Sequence, residues 1–302
     1  MYELVRLEVN ADAINLLDAY ESLVPKELSS LLLGKDPQDP NSIILAYGIL
    51  CETKPVGIIL ASCNQTLERL DIRHFFVHPS YRNQQLGHRL LLAILEEAKK
   101  LNIHFFFLLY PSEESWSPAL EKILIDVDWK IRPFMIRCLY DVDTFDTPWI
   151  HKDYHYPQGY EEFLWLELST DEKQQLHIQQ IQRAFPAAVS PFFEEDRIEP
   201  RNSLGLRFQG RIVGWIITHR IDPETIRYTT LFVERSLWHT GISMKLLADS
   251  IHLHLKNKTK WAILEIPLLQ VHSSWVRFAN RRLLPYADKV THLMQAWNYV
   301  AK

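Results

Sequence analysis

The sequence predicts a mixed α/β protein built from two tandem copies of one unit, each a sheet flanked by helices. Three observations carry this. The chain has 302 residues, more than one hydrophobic core usually serves, so two domains are expected. It also repeats itself. KPVGIIL (Lys54 to Leu60) resembles RIVGWII (Arg211 to Ile217), and FFVHPSYRNQQLGHRLL aligns with LFVERSLWHTGISMKLL so that Val77 lies opposite Val233. MIRCLY (Met135 to Tyr140) matches MQAWNY (Met294 to Tyr299), LEV (Leu7 to Val9) matches LEL (Leu166 to Leu168), and Trp116 and Trp275 each follow a serine. Five matches in one order at a nearly constant offset indicate a duplicated fold. Finally, each copy alternates short β-branched and aromatic runs with helical stripes, the pattern of a sheet with helices.

Taken in order, the first copy opens with a strand over Tyr2 to Val9 and helical segments ending near Leu33. Strands follow at Ser42 to Ile49, Pro55 to Ser62 and Glu68 to Val77, punctuated by Gly48, Pro55 and Gly57. A polar loop, Arg82 to Gln85, then meets a helix. Leu86, Leu90, Leu91, Ile94, Leu95 and Ala98 form its apolar stripe, Glu96 and Lys100 make a supportive i,i+4 pair, and Lys99 and Lys100 suit its C-terminal dipole. IHFFFLLY reads as a buried strand, Ser117 to Ile125 as a helix, and Ile131 to Tyr140 as the closing strand. The stretch TPWIHKDYHYPQGY (Thr147 to Tyr160) has Pro148, Pro157 and Gly159 and no periodicity. We therefore expect units at 1–145 and 161–302, joined by a linker at 146–160. Trp116 and Trp275 are expected at equivalent core positions.

Composition excludes several classes. The formal net charge is -4, which leaves no basic footprint for nucleic acid. No apolar run reaches the length of a membrane span, and MYELVRLEVN lacks a signal-peptide layout. Cys51, Cys63 and Cys138 fit no metal spacing and are expected as buried thiols in a reducing cytoplasm. His252 and His254 are two apart on a helix and share no face, so no metal site is expected.

The junction at Val77 to Lys100 is the candidate site. At a helix start the first backbone N–H groups lack internal partners and the dipole end is positive, so a loop delivering such an end at a sheet's mouth suits a phosphate. Gly87 would let the backbone approach a ligand, and Arg82 would add a charge-assisted contact. The same residues also describe a plain strand-to-helix turn with a solvated face.

VHPSYRNQQLGHRLL resembles the cofactor-binding motif of the GNAT superfamily of N-acetyltransferases, in which Arg or Gln, two residues, Gly, one residue and Gly or Ala follow a strand ending in apolar-Val-x-Pro. The order of elements agrees over residues 1–142 and again from Tyr160, so the chain resembles a tandem GNAT. The resemblance implies two mixed, mostly antiparallel sheets flanked by helices, and acetyl-CoA as cosubstrate. It implies that loop amides of Arg82, Asn83, Gln84, Gln85, Leu86, Gly87 and His88 hold the pyrophosphate, and that backbone near Phe76 and Val77 meets pantetheine in a splay between neighbouring strands. Gln85 stands where the family has its first glycine, with helical φ and ψ expected. The second copy has Gly241 there, but Ser243 for the final small residue and Trp238 for the arginine. The first copy is the expected cofactor site, and the second is expected to be degenerate.

The family often projects a general base from the strand before the loop. Here that strand offers Asp71 and His74, with Glu68 nearby. As bare residues, Asp71 also reads as a solvated acid beside Arg73, and His74 as a core histidine. The second copy has Arg227 and Thr230 instead. The family's tyrosine acid falls on Leu124 and Phe278, leaving Tyr110 as a substitute. The implied function is acetyl transfer from acetyl-CoA to a primary amine, on a small molecule or a peptide. The alternative is a degenerate GNAT that binds acyl-CoA or a protein partner without turnover. The two halves would then resemble the family's dimer within one chain.

Overall fold

The computed structural model describes residues 1–9, 19–36, 39–269 and 273–299. Twelve strands are found among them: β1 (Tyr2–Arg6), β2 (Ile43–Cys51), β3 (Lys54–Asn64), β4 (Arg69–Val77), β5 (Phe105–Pro111), β6 (Lys130–Asp141), β7 (Tyr160–Leu164), β8 (Leu204–Phe208), β9 (Arg211–Asp222), β10 (Thr225–Val233), β11 (Trp261–Pro267) and β12 (Lys289–Tyr299). The helices are α1 (Ser29–Leu32, a single turn), α2 (Leu86–Lys100), α3 (Ser117–Asp126), α4 (Thr170–Ile181), α5 (Ile242–Asn257) and α6 (Ser273–Arg282).

The chain forms two compact units, one of Met1–Phe134 with Leu293–Lys302, the other of Met135–His292. In the first the strand order is β1-β2-β3-β4-β5-β12, and in the second it is β7-β8-β9-β10-β11-β6. Each sheet has one parallel pair, β4 with β5 and β10 with β11, and is otherwise antiparallel. The closing strand of each sequence copy thus pairs in the other copy's sheet. Leu293–Tyr299 lies beside β5, and Met135–Asp141 beside β11. The spatial division runs through β6 and β12, away from the 146–160 stretch. That stretch is without helix or strand up to Tyr160, and Trp149 is buried in it, its indole donating to the Arg282 carbonyl at 2.9 Å.

Side-chain alternation divides the first sheet into two faces. Ile59, Leu70, Ile72, Phe106 and Leu108 pack with Leu90, Leu91 and Ile94 of α2 and Leu124 of α3. Ile58 and Leu60 face the other way, with Leu7, Tyr20 and Leu31. The α2 stripe lies as its spacing predicts, but Lys100 pairs with Glu97 at 3.2 Å, not with Glu96. Glu97 is drawn in because Arg6 of β1 reaches it at 2.9 Å. Lys100's hydrogen bond, with Arg6 beside it, holds the Glu97 carboxyl below the usual carboxylate range. Trp116 and Trp275 are half-buried at the margins of their clusters, not in the cores. Cys63 and Cys138 are buried thiols, and Cys51 is only half-buried.

Gly48 in β2 is needed because the fully buried Tyr20 ring lies across it. A Cβ there would collide with the ring carbons Cζ and Cε1 and with the hydroxyl of Tyr20. Gly48→Ala is expected to destabilise the protein by about 1–3 kcal/mol through overpacking. Combining it with Tyr20→Leu should cost less than the two changes summed, a coupling that denaturant unfolding of the four variants would reveal.

Candidate functional site

The site begins where a sheet comes apart. β4 and β5 pair in parallel only over Arg69–Ile72 and Phe105–Leu108. Beyond Ile72, β4 continues against β3 alone, to Val77 opposite Gly57. The register on the β3 side shifts between Ala61, opposite Ile72, and Leu60, opposite His74, so Arg73 is a bulge. In a regular strand residues three apart face opposite ways, and one extra residue reverses this. Asp71, opposite Ser62, and His74, opposite Leu60, therefore share the face of Tyr20 and Leu31. Phe75 and Val77 point to the α2 face. The second unit repeats the device. β10 and β11 pair only over Thr225–Tyr228 and Trp261–Leu264, and Thr229 is the bulge.

β4 ends in a loop fixed by local hydrogen bonds. His78 N–H donates to the Val56 carbonyl at 2.9 Å, and Arg82 Nε donates to the Val77 carbonyl at 3.0 Å. The chain then passes through Asn83 (φ 61) and Gln85 (φ 58) and enters α2. Gln85 thus has left-handed backbone, not the helical values expected from sequence, because its position demands the conformation that Gly241 (φ 85) supplies in the second loop. Its side chain does not cap the helix. The first-turn amides of α2 face the loop mouth without a side-chain cap, the arrangement that binds anions. In the second loop the Ile242 amide already donates to the Thr240 hydroxyl, at 3.4 Å.

Two expectations change. Gly87 is buried, and a Cβ on it would meet Ile123 Cδ1 at 2.9 Å and Phe75 Cζ at 3.5 Å. Its small size lets α2 sit down on α3 and β4, so a bulky residue there would act through packing and not by blocking the loop mouth. Trp238, which replaces the arginine, takes over a bond: its Nε1 donates to the Val233 carbonyl at 3.2 Å, as Arg82 Nε does to Val77. The brace is common to both loops; in the first the bracing group is itself a guanidinium, and in the second the Arg235 guanidinium lies 5.9 Å over the bracing Trp238 ring.

The candidate bases differ in their freedom. Asp71 accepts from Arg69 at both oxygens, at 2.6–2.9 Å, and Arg69 in turn lies over the Phe107 ring at 4.6 Å. Arg73, the neighbour expected for Asp71, turns instead to Asp36 at 3.5 Å. His74 is half-buried, stacked on Phe76, with Nε2 2.8 Å from the Leu23 carbonyl. A carbonyl only accepts, so Nε2 carries the proton and Nδ1 the lone pair. Burial lowers the His74 pKa, with the Leu23 carbonyl opposing, so the ring is neutral at physiological pH. Tyr110 is buried and donates to Glu121 of α3 at 2.9 Å. Burial, then Glu121, raises its pKa and keeps the phenol protonated. On the matching face of the second unit, Arg227 is paired with Glu194 at 3.0 Å, and both ring nitrogens of His219 are engaged, by Thr229 and the Phe193 carbonyl.

The Arg69 clamp was within reach of the sequence, since residues two apart on a strand share a face. The Arg73 bulge and the His74–Leu23 contact were not, because both depend on pairing and on a distant loop. Among the described residues no cluster of His, Cys, Asp or Glu could hold a metal, and no helix is long and apolar enough to cross a membrane.

Left-handed backbone costs a residue with a Cβ about 1–2 kcal/mol. Gln85→Gly should therefore raise stability by about 0.5–1 kcal/mol, net of the added freedom of the unfolded chain. Gly241→Ala should lower it. Thermal unfolding of both variants checks the pair, and a destabilised Gln85→Gly would contradict the loop geometry.

Residues 12–116 match the acetyltransferase (GNAT) family. The comparison with curated proteins finds no match. Among solved structures, a tandem GNAT protein of the clavulanic acid biosynthesis pathway is similar over 100% of both chains, at 15% identity and TM-score 0.61. A GCN5-related N-acetyltransferase from Sphaerobacter thermophilus is similar over 100% of this chain and 97% of its own, at 14% identity and TM-score 0.64. The glucosamine N-acetyltransferase region of a fungal multi-domain β-N-acetylglucosaminidase is similar over 99% of this chain and 38% of that one, at 13% identity and TM-score 0.65. With its splayed strands and strand-loop-helix junction, this chain resembles the GNAT acetyltransferase family over residues 12–116 and has the mixed α/β fold of a tandem GNAT protein.

Proposed function

We propose that the chain transfers an acetyl group from acetyl-CoA to a primary amine, with the first half as the working site and the second as a degenerate copy. The observation that supports this most is the opening of β4 from β5 directly ahead of a loop with uncapped helix amides. An extended chain with amide groups and a pyrophosphate at one end fits such a slot. The pantetheine runs beside Phe76 and Val77, and the pyrophosphate meets the amides of Gln85, Leu86, Gly87 and His88. Arg82, braced on Val77, and the exposed Asn83 and Gln84 rim the mouth.

In the reaction the acceptor nitrogen attacks the thioester carbonyl. The C–N bond forms, a backbone N–H of β4 stabilises the oxyanion, and the C–S bond breaks. The amine's proton passes to Nδ1 of His74, which is neutral and unpaired among the described residues. Asp71, fixed by Arg69, orients the incoming ammonium. Tyr110, the substitute offered for the family's tyrosine, is buried with its proton held by Glu121, so the leaving thiolate takes its proton from solvent. The assignment to the first half is favoured by the second unit's Arg227 and Thr230, neither of which is a base. The reaction would take place in the cytoplasm.

Binding without turnover is the competing reading, and it draws on the double hold of Arg69 on Asp71. The two separate on His74→Gln, assayed by thiol release over an amine panel. The proposal expects turnover to fall by about 10²–10⁴, the size of a general-base contribution, with acetyl-CoA affinity nearly unchanged. Because burial depresses the His74 pKa, the acid limb of kcat/KM should fall below about pH 6.5, the ordinary histidine value. The loss should shrink as pH rises and more of the amine is already deprotonated. Wild-type protein that binds acetyl-CoA and releases thiol with no amine in the panel would favour the competing reading.

A further inference from the structure

The acceptor face of the first sheet is finished by the last strand of the chain. β12 lies beside β5 with Gln295 opposite Leu109 and Trp297 opposite Phe107, and Phe107 is itself opposite Asp71. Asp71, Phe107 and Trp297 thus form one row on one face, two inter-strand steps or about 10 Å from end to end. The floor between them is aromatic, with the Arg69 guanidinium, held by Asp71, 4.6 Å from the Phe107 ring and 5.7 Å from Phe105. Phe134 stands edge-on to Phe107 at 6.3 Å, and Phe105 lies nearly parallel to Phe107 at 6.4 Å.

At the far end of the row is Arg132. Its guanidinium lies 4.7 Å over the Trp297 ring. Gln295 is only 5% exposed, and its amide oxygen, oriented by what surrounds it, accepts from Arg132 Nε at 2.7 Å and Nη2 at 2.8 Å. A buried amide and an indole thus hold this cation, and no carboxylate among the described residues forms an ion pair with it. The other arginines of the face are matched, Arg69 with Asp71 and Arg73 with Asp36. A guanidinium stacked, oriented and left with spare N–H donors is suited to a planar anion.

We propose that Arg132 is a specificity residue, and that the acceptor is an amine bearing a carboxylate separated from its amino group by an apolar spacer of about 10 Å, spanning two strand spacings. The amino group sits at His74 and Asp71, the spacer alongside the Phe107 and Trp297 rings, and the carboxylate on Arg132, with the Arg69 guanidinium kept neutralised by Asp71. This rests on the acyltransferase reading above and names the substrate class of that site. Gln295 and Trp297 act as positioning residues.

The probes are ω-aminocaprylate, whose length matches the span, γ-aminobutyrate, which is too short, and heptylamine, which lacks the carboxylate. Acetyl-CoA-dependent thiol release should favour ω-aminocaprylate over both by about tenfold or more in kcat/KM, the size of a charge-assisted hydrogen bond. In Arg132→Gln the preference should disappear through a raised KM, and Arg132→Lys should restore part of it. Turnover of all three amines without preference, or a preference that survives Arg132→Gln, overturns the inference and leaves the acyltransferase reading standing. If no amine is acetylated, that reading fails, and calorimetry of ω-aminocaprylate decides the inference separately. Binding lost in Arg132→Gln supports it, and no binding by the wild-type protein overturns it.

Discussion

The geometry of the first half depends on one extra residue. A regular β4 would put Asp71 and His74 on opposite faces and would keep pairing with β5 to its end. The bulge at Arg73 turns both side chains to one face, and from that point the strand parts from β5. The backbone beyond it faces a slot and not a neighbouring strand. The loop that follows adds amides at the slot's end, so an acyl carrier's amides and phosphates would both meet main chain. Side chains are left to treat the acceptor.

The second half keeps the frame and changes the groups on it. Its bulge at Thr229, its splay and its left-handed Gly241 repeat the first half. Trp238 keeps the bond to Val233 that Arg82 makes to Val77. What differs is charge and freedom. Arg227 is paired with Glu194, the nitrogens of His219 are both engaged, and the Thr230 hydroxyl is buried without a hydrogen-bond partner. The second unit thus keeps the backbone geometry while the groups at the matching positions are engaged or are not bases.

Much of this was legible in the residues. The duplication showed in matched segments, and the α2 stripe from Leu86 to Ala98 gave its buried face directly, since helical spacing alone fixes it. The strand-loop-helix junction was visible because the strand run of Asp71 to Val77 gives way at once to a polar loop and a helical stripe. The exchange of closing strands was not, because MIRCLY and MQAWNY suit either sheet equally and only pairing decides between them. For the same reason the row from Asp71 through Phe107 to Trp297 could not be foreseen, its members being far apart in sequence. Gln85 was misread because non-glycine residues avoid left-handed backbone. The constraint of entering α2 from this loop outweighed that local cost.

The most direct test is amide hydrogen exchange with and without acetyl-CoA, followed by peptide mass analysis. If the first half holds the acyl carrier, exchange slows over 74–77 and 86–88 and is unchanged over 230–233 and 242–244. Protection confined to the second set, equal protection of both, or no protection at saturating acetyl-CoA would contradict the account.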